Sequence, residues 1–143
     1  MTEPVQLSDE VRAFLMTGTF TGKLAHTAHD GRPIVVPVWF VLDGDQIVFQ
    51  TDADSAKGRA MRQDPRVCLC VDNQIPPYGF VQVQGTVELS EDLEAMLPWA
   101  TKIAGRYMGA DRAEESGHRN AVAGELLVRL TPTKVIAQLD TTS

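Results

Sequence analysis

Cations are in the minority here: Lys and Arg number 13 against 19 Asp and Glu, for a formal net charge of −6. Nucleic-acid binding displaces counterions with a basic face, so this balance excludes it as a general property and leaves room only for a local basic cluster around a small anion. Cysteine is scarcer still, with Cys68 and Cys70 two apart in "RVCLCVD". Alternate positions on a strand share one face and are poorly placed to bridge, so the pair reads as reduced core thiols of a cytoplasmic protein. No apolar run approaches the roughly 18 residues of a membrane span. The opening "MTEPVQLSDE" is acidic and lacks the apolar core of a secretion signal. His26, His29 and His118 have no metal-ligand spacing with the cysteines, so no metal site is expected. GxGxxG, Walker, HExxH and GxSxG patterns are missing, and nothing orders Ser, His and Asp into a triad. If this chain is an enzyme, a bound cofactor does the difficult chemistry.

What is present is an ordinary globular composition, 43% hydrophobic over 143 residues, which predicts one domain spanning residues 1–143. "LSDEVRAFLMTG" reads as a short helix with Ser8 as N-cap and Gly18 as its stop. "FTGKLAHTAH" reads as a strand, turned at Asp30-Gly31 into "PIVVPVWFVL", a second strand apolar on both faces. Pro37 within that run removes a ladder hydrogen bond and marks an edge, a bulge or the approach of something other than a strand. A strand "QIVFQT", a helix from about Ser55 to Gln63 halted before Asp64-Pro65, and the strand "RVCLCVD" follow. "FVQVQGTVEL" alternates as a long strand with Gly85 at a bulge. A longer helix opens near Ser90, with a kink or a later start expected at Pro98. "GADRAEESGHRNAVAG" is a loop with a short helix, and "ELLVRL" and "KVIAQL" are two last strands joined through Thr131-Pro132-Thr133. About seven strands linked largely by hairpins, with helices in the longer connections, predict a mainly β antiparallel barrel.

The chemistry centres on "FQTDADSAKGRAMRQDPRV". Lys57 lies in the first turn of a helix, where partial positive charge ordinarily favours Asp or Glu. An anion resolves the conflict: Ser55, the free amides after it and Lys57 form a phosphate cradle, with Arg59 and Arg62 adding charge. The competing reading is a solvated basic face paired with Asp52, Asp54 or Asp64. In "VVPVWFV", Trp39 and Phe40 point to opposite faces, so at least one ring belongs to the core. The alternative use of this strand is as a backbone wall against a flat ligand. "NQIPPYGF" is a hairpin connection, or else a lid or dimer contact using Tyr78.

The run Ser55, Lys57, Met61, Asp64, Pro65, Val67 and Leu69 fits S-x-K-x-x-x-[apolar]-x-x-[DN]-P-x-V-x-L after a strand ending in Thr51, with "PPYGFVQVQGTVEL" downstream. Over about residues 8 to 139 the chain resembles the pyridoxamine 5′-phosphate oxidase-like superfamily, in particular its flavin/deazaflavin oxidoreductase B group, whose members often use coenzyme F420. The resemblance implies a split β-barrel homodimer with cofactor sites at the subunit interface. It implies that the strand carrying Pro37, Val38 and Trp39 lies beside the ring, that Thr51 lines the site, and that Ser55, Ala56 and Lys57 hold the phosphate. Arg59 and Arg62 would then form a basic track for a polyglutamate tail, and Pro77 and Tyr78 would help cover the ring. It implies hydride transfer from reduced coenzyme F420 to an unsaturated organic substrate, with no fixed catalytic acid or base. FMN is the alternative cofactor, although FMN oxidases often carry an Arg where Ala56 stands and an arginine-rich strand in place of "VVPVWFV". A non-enzymatic binder of coenzyme F420, haem or another tetrapyrrole is the third reading, with His26 and His29 as the histidines nearest the barrel.

Overall fold

The computed structural model describes residues 3–143. Helix α1 (Asp9–Leu15) starts where Ser8 Oγ accepts the Val11 amide at 3.1 Å, and it buries Val11 and Leu15. Strands β1 (Gly22–Thr27) and β2 (Pro33–Val38) form one hairpin, and β3 (Phe40–Asp43) and β4 (Gln46–Asp52) another. Their turns carry Gly31 and Gly44 at φ +89° and +58°, a region that L side chains rarely enter. Helix α2 (Ala56–Gln63), β5 (Arg66–Asp72), β6 (Tyr78–Ser90), α3 (Leu93–Met108), a 3-10 turn (Ala110–Arg112), α4 (Ala113–Asn120) and β7 (Glu125–Asp140) complete the order.

All seven strands join in one antiparallel sheet, ordered β2-β1-β5-β6-β7-β4-β3. Its two edge strands, β2 and β3, are neighbours in the chain with only Trp39 between them, so the sheet rolls back on itself as a split barrel. The predicted single strand "PIVVPVWFVL" is therefore two, at opposite edges. At the break, edge groups of Phe40 find side chains in place of a strand: its amide donates to Tyr107 Oη at 3.2 Å and its carbonyl accepts Arg106 Nη1 at 2.7 Å. Helix α3 has satisfied what an open edge would leave bare.

The barrel interior holds Leu24, Phe40, Phe49, Leu69, Val81, Val83, Leu126 and Val128, with Leu7, Val11 and Leu15 joining them. A second apolar cluster lies outside the barrel, where Met96 and Ile103 of α3 cover Val41, Val48 and Leu127. Burial on both faces explains why β3, β4 and the first part of β7 read as continuous apolar runs.

Three further expectations are corrected. The last two predicted strands are one, because Pro132 sits opposite Gly85 at the register shift after Gln84, where no ladder donor is required. The long helix begins after its cap at Asp92 and keeps Pro98 inside, since β6 runs on to Ser90. Cys68 and Cys70 are free but are not core thiols; Val67, Leu69 and Val71 take the buried positions of β5 and leave the thiols half-buried on its outer face.

Candidate functional site

The site grows from the turn between β4 and α2. Ser55 Oγ donates to the Asp52 carbonyl at 2.7 Å and accepts the Gly58 amide at 3.1 Å, so its hydroxyl is committed to capping the helix. Thr51 is buried, with its Oγ1 3.3 Å from Ser55 Oγ. Gly58 lets the first turn lie directly on the strand end, because a Cβ there would collide with the Asp52 carbonyl. Arg59 donates its amide to the Ser55 carbonyl at 3.0 Å. The amides of Ala56 and Lys57 are the ones left for an outside acceptor.

Lys57 is half-buried and makes no ion pair or hydrogen bond among the described residues. None of the acids that might have neutralised it does so: Asp52 accepts the Asp54 amide at 2.8 Å, Asp64 grips Arg66 at 2.8 Å, and the Asp54 carboxylate makes no ion pair with it. A solvated, paired basic face is therefore not what the structure shows at this lysine.

Lys57 opens onto a cleft of about 390 Å³, within the size range of small-molecule sites. Pro37, Val38 and Trp39 form one wall, Ala100 and Ile103 of α3 add apolar surface, and Gln50, Asn120 and Glu125 supply polar edges. Trp39 is 46% exposed and stacks on Tyr107 at 5.0 Å with the rings 3° from parallel. Tyr107 Oη lies 2.7 Å from the Phe20 carbonyl, and burial pushes its phenol pKa up, so it stays a neutral hydrogen-bonding post. Arg106 beside it donates to the carbonyls of Leu15, Gly18 and Phe40 at 2.7, 2.9 and 2.7 Å. Burial lowers its pKa, but a guanidinium remains charged in proteins. The two residues fix the end of α1 and the Trp39 break to one helix.

Among the residues predicted from sequence, Pro37, Val38, Trp39 and Lys57 meet in this cleft, whereas Thr51 and Ser55 do not line it and contact each other at the turn that carries Lys57. Ala56 lies on the other side of the same turn, against a second pocket. Arg62 is held at 3.0 Å by Glu91 and does not line the cleft. Pro77 and Tyr78 stand elsewhere in the single chain: Tyr78 pairs with Asp140, at the opposite end of β7 from Glu125. His26 is buried, does not line the cleft, and has its pKa lowered by burial and then by the charge of Lys57.

Gln50, Asn120, Glu125 and Arg106 were not singled out from the sequence. Gln50 Nε2 joins the Asn120 carbonyl to Glu125 Oε1, the latter at 3.0 Å, and so ties α4 to the start of β7. Ala100 and Ile103 carried a signal, helical apolar spacing, but it reads equally well as core.

The sequence profile described as pyridoxamine 5′-phosphate oxidase matches residues 7–138. Among solved structures, a conserved hypothetical protein of Mycobacterium tuberculosis is similar with a TM-score of 0.80 and 23% identity, covering 98% of this chain and 88% of that one. A protein described as an F420 reductase is similar with a TM-score of 0.67 and 25% identity, covering 87% and 94%. A heme binding protein of Mycobacterium smegmatis shares the fold with a TM-score of 0.69 and 18% identity over 97% of this chain and 57% of that one. Among the described residues, no helix is long and apolar enough to cross a membrane.

Proposed function

Since the chain belongs to the pyridoxamine 5′-phosphate oxidase family, whose fold binds flavin-type cofactors, we propose that it is an oxidoreductase that uses coenzyme F420 in the Trp39 cleft. The observation that carries the reading is Lys57, a half-buried ammonium with no partner among the described residues, beside two free helix amides. Such a constellation suits an anion. It suits a singly charged phosphodiester better than the phosphomonoester of FMN, which carries between one and two negative charges near neutrality. With Ala56 where FMN oxidases often have an arginine, Lys57 is the single cation lining the cleft among the described residues. The similarity to an F420 reductase points the same way.

The chemistry that a reduced deazaflavin would bring to this cleft is donation of a hydride from C5 to an unsaturated organic substrate. The chain's own contribution is placement. Lys57 and the amides of Ala56 and Lys57 would hold the phosphate, with Thr51 and Ser55 bracing that turn. Trp39, locked flat by Tyr107, and the chain at Pro37 and Val38 would set the plane of the ring. Ala100 and Ile103 would keep water from the reacting face. Arg62, engaged with Glu91, is a weaker candidate for the tail than Arg59.

A homodimer belongs to this proposal. Pro77 and Tyr78 lie away from the cleft of their own chain, so they can cover the ring only from a second copy. Exposed apolar side chains at Val35, Ile75, Tyr78 and Ile136 support such an association. The measurement that tests the whole reading is a paired fluorescence titration of cofactor-free protein with coenzyme F420 and with FMN, alongside Lys57→Ala. The expected result is preference for coenzyme F420, with affinity about tenfold or more weaker in a Lys57→Ala protein of unchanged melting temperature. Preference for FMN overturns the choice of cofactor, and binding of neither overturns the oxidoreductase reading.

A further inference from the structure

The far side of the first turn of α2 carries a second pocket. It encloses about 540 Å³ between α2 and the β1–β2 hairpin, with Ala56, Arg59, Ala60 and Gln63 on the helix side and His26, His29 and Arg32 on the hairpin side. Lys57 faces the Trp39 cleft from the same turn, so the helix start divides the two spaces.

His26 makes this pocket more than a surface dent. Its side chain sits at 5% exposure; against the lowering of its pKa by burial, the Leu24 backbone acts on the ring to raise it, but the fully buried Nδ1 meets no partner at hydrogen-bonding distance among the described residues. A buried imidazole nitrogen left unpaired costs free energy that a fold normally avoids, and a ligand atom is one way to supply the missing bond. The other polar groups identify the ligand. Arg59 makes no ion pair among the described residues. Arg32 gives its Nε to Asp30 at 2.8 Å, and its terminal nitrogens make no hydrogen bond among the described residues. The Gln63 amide and the rings of His26 and His29 offer further donors, and Asp30, held by Arg32, is not among the lining residues. Donors outnumber acceptors around a buried ring. Metal binding is disfavoured, because no group of three or more His, Cys, Asp or Glu side chains gathers among the described residues.

We propose that the pocket between α2 and the β1–β2 hairpin is a second anion site, in which a carboxylate or phosphate group accepts hydrogen bonds from His26 and Arg59 with Arg32 at the rim. Two sources present this chemistry: the acidic tail of a cofactor seated in the neighbouring cleft, or a free small anion that occupies the pocket independently. The pocket does not depend on the identity of the cofactor, and its test reads the histidine directly.

The experiment is histidine-ring NMR on the full, cofactor-free chain, titrated with inorganic phosphate and then with a triglutamate peptide. The His26 ring resonances should move saturably, and Arg59→Gln should weaken the binding about tenfold, more than Lys57→Ala does. Arg59 is exposed on the helix, so the variant keeps the fold, and a thermal melt verifies it. Repeating the titration with coenzyme F420 present separates the sources: phosphate excluded by the cofactor identifies the tail as occupant, and phosphate still bound identifies a free anion. No response at His26 overturns the proposal. So does a response lost in Lys57→Ala and kept in Arg59→Gln, since the ion would then sit in the Trp39 cleft.

Discussion

Two cations flank the break at Trp39, and their circumstances are opposite. Arg106 approaches from α3 with its guanidinium spread over the carbonyls of Leu15, Gly18 and Phe40. Lys57 approaches from α2, half-buried and bonded to nothing else among the described residues. Both lie partly out of water, where an unpaired charge is costly. Arg106 answers that cost within the fold, holding together a helix end, a loop and an edge strand. Lys57 leaves it to be answered from outside. Partial burial alone does not distinguish a structural cation from a ligand-binding one; the fate of its donors does.

The largest expected effect breaks the structural half of this contrast. Arg106→Leu strips three carbonyls of a charged donor, each bond worth about 1.5–3 kcal/mol with partial recovery through water. A net loss of about 3 kcal/mol, or roughly 10 °C in melting temperature, is expected from thermal denaturation of the variant. Arg106→Lys should recover only part of it, because an ammonium cannot fork across carbonyls in three directions. Lys57→Ala should do the reverse: a melting temperature essentially unmoved and a loss of cofactor affinity. A strongly destabilised Lys57→Ala would show that this lysine has structural duties and would remove the contrast.

The second prediction concerns how Lys57 comes to be presented. Gly58 lets the first turn of α2 rest on the Asp52 carbonyl, where a methyl group would collide with backbone. Gly58→Ala must displace the turn, at a cost of about 1–3 kcal/mol for overpacking against a rigid atom. Because the helix start sets both the free amides and the lysine, the variant should lose cofactor affinity as well as stability. A variant that loses stability but binds normally would mean that the cleft tolerates a shifted helix. That outcome would detach the site from the local geometry described above.

The same contrast explains what could be read from the sequence. Lys57 was legible because it violates a local rule: a cation at a helix start conflicts with the dipole, and such conflicts mark function. Pro37 was legible for a related reason, as a missing donor that belongs at a sheet edge, and β2 is an edge strand. Gly85 likewise sits at the register shift. Arg106 breaks no rule, since an arginine near a helix C-terminus is unremarkable, and its partners lie 66 to 91 residues away in the chain. The split of "PIVVPVWFVL" at Trp39 was hidden too. An apolar run shows that both faces are covered, but not that the partner strand changes within it. Gln50 and Glu125 were invisible for the same reason as Arg106: their meaning lies in a long-range contact between β4 and β7. Local conflict can be read along a chain, whereas cooperation between distant residues cannot.

The smallest expected effect comes from a third cation, Arg66, which is committed like Arg106 but lies at the surface. It grips the carboxylate of Asp64 just beyond α2, with contacts of 2.9 and 2.8 Å. The hydrogen bonds from the Arg66 side chain and amide hold the Asp64 pKa down at about 2. A carboxyl with a depressed folded-state pKa adds stability that is fully present above its unfolded value near 3.9 and disappears as pH falls toward 2. Comparing acid unfolding of the parent protein with Asp64→Asn should therefore show a difference at pH 5 that shrinks steadily between about pH 4 and pH 2. Solvent screens this pair, so the difference should be far smaller than that for Arg106→Leu. If Asp64→Asn instead proved as damaging as Arg106→Leu, exposure would not be what separates the two committed arginines. The cause would then have to be sought in Asp64 itself, as the residue that closes α2 ahead of Pro65.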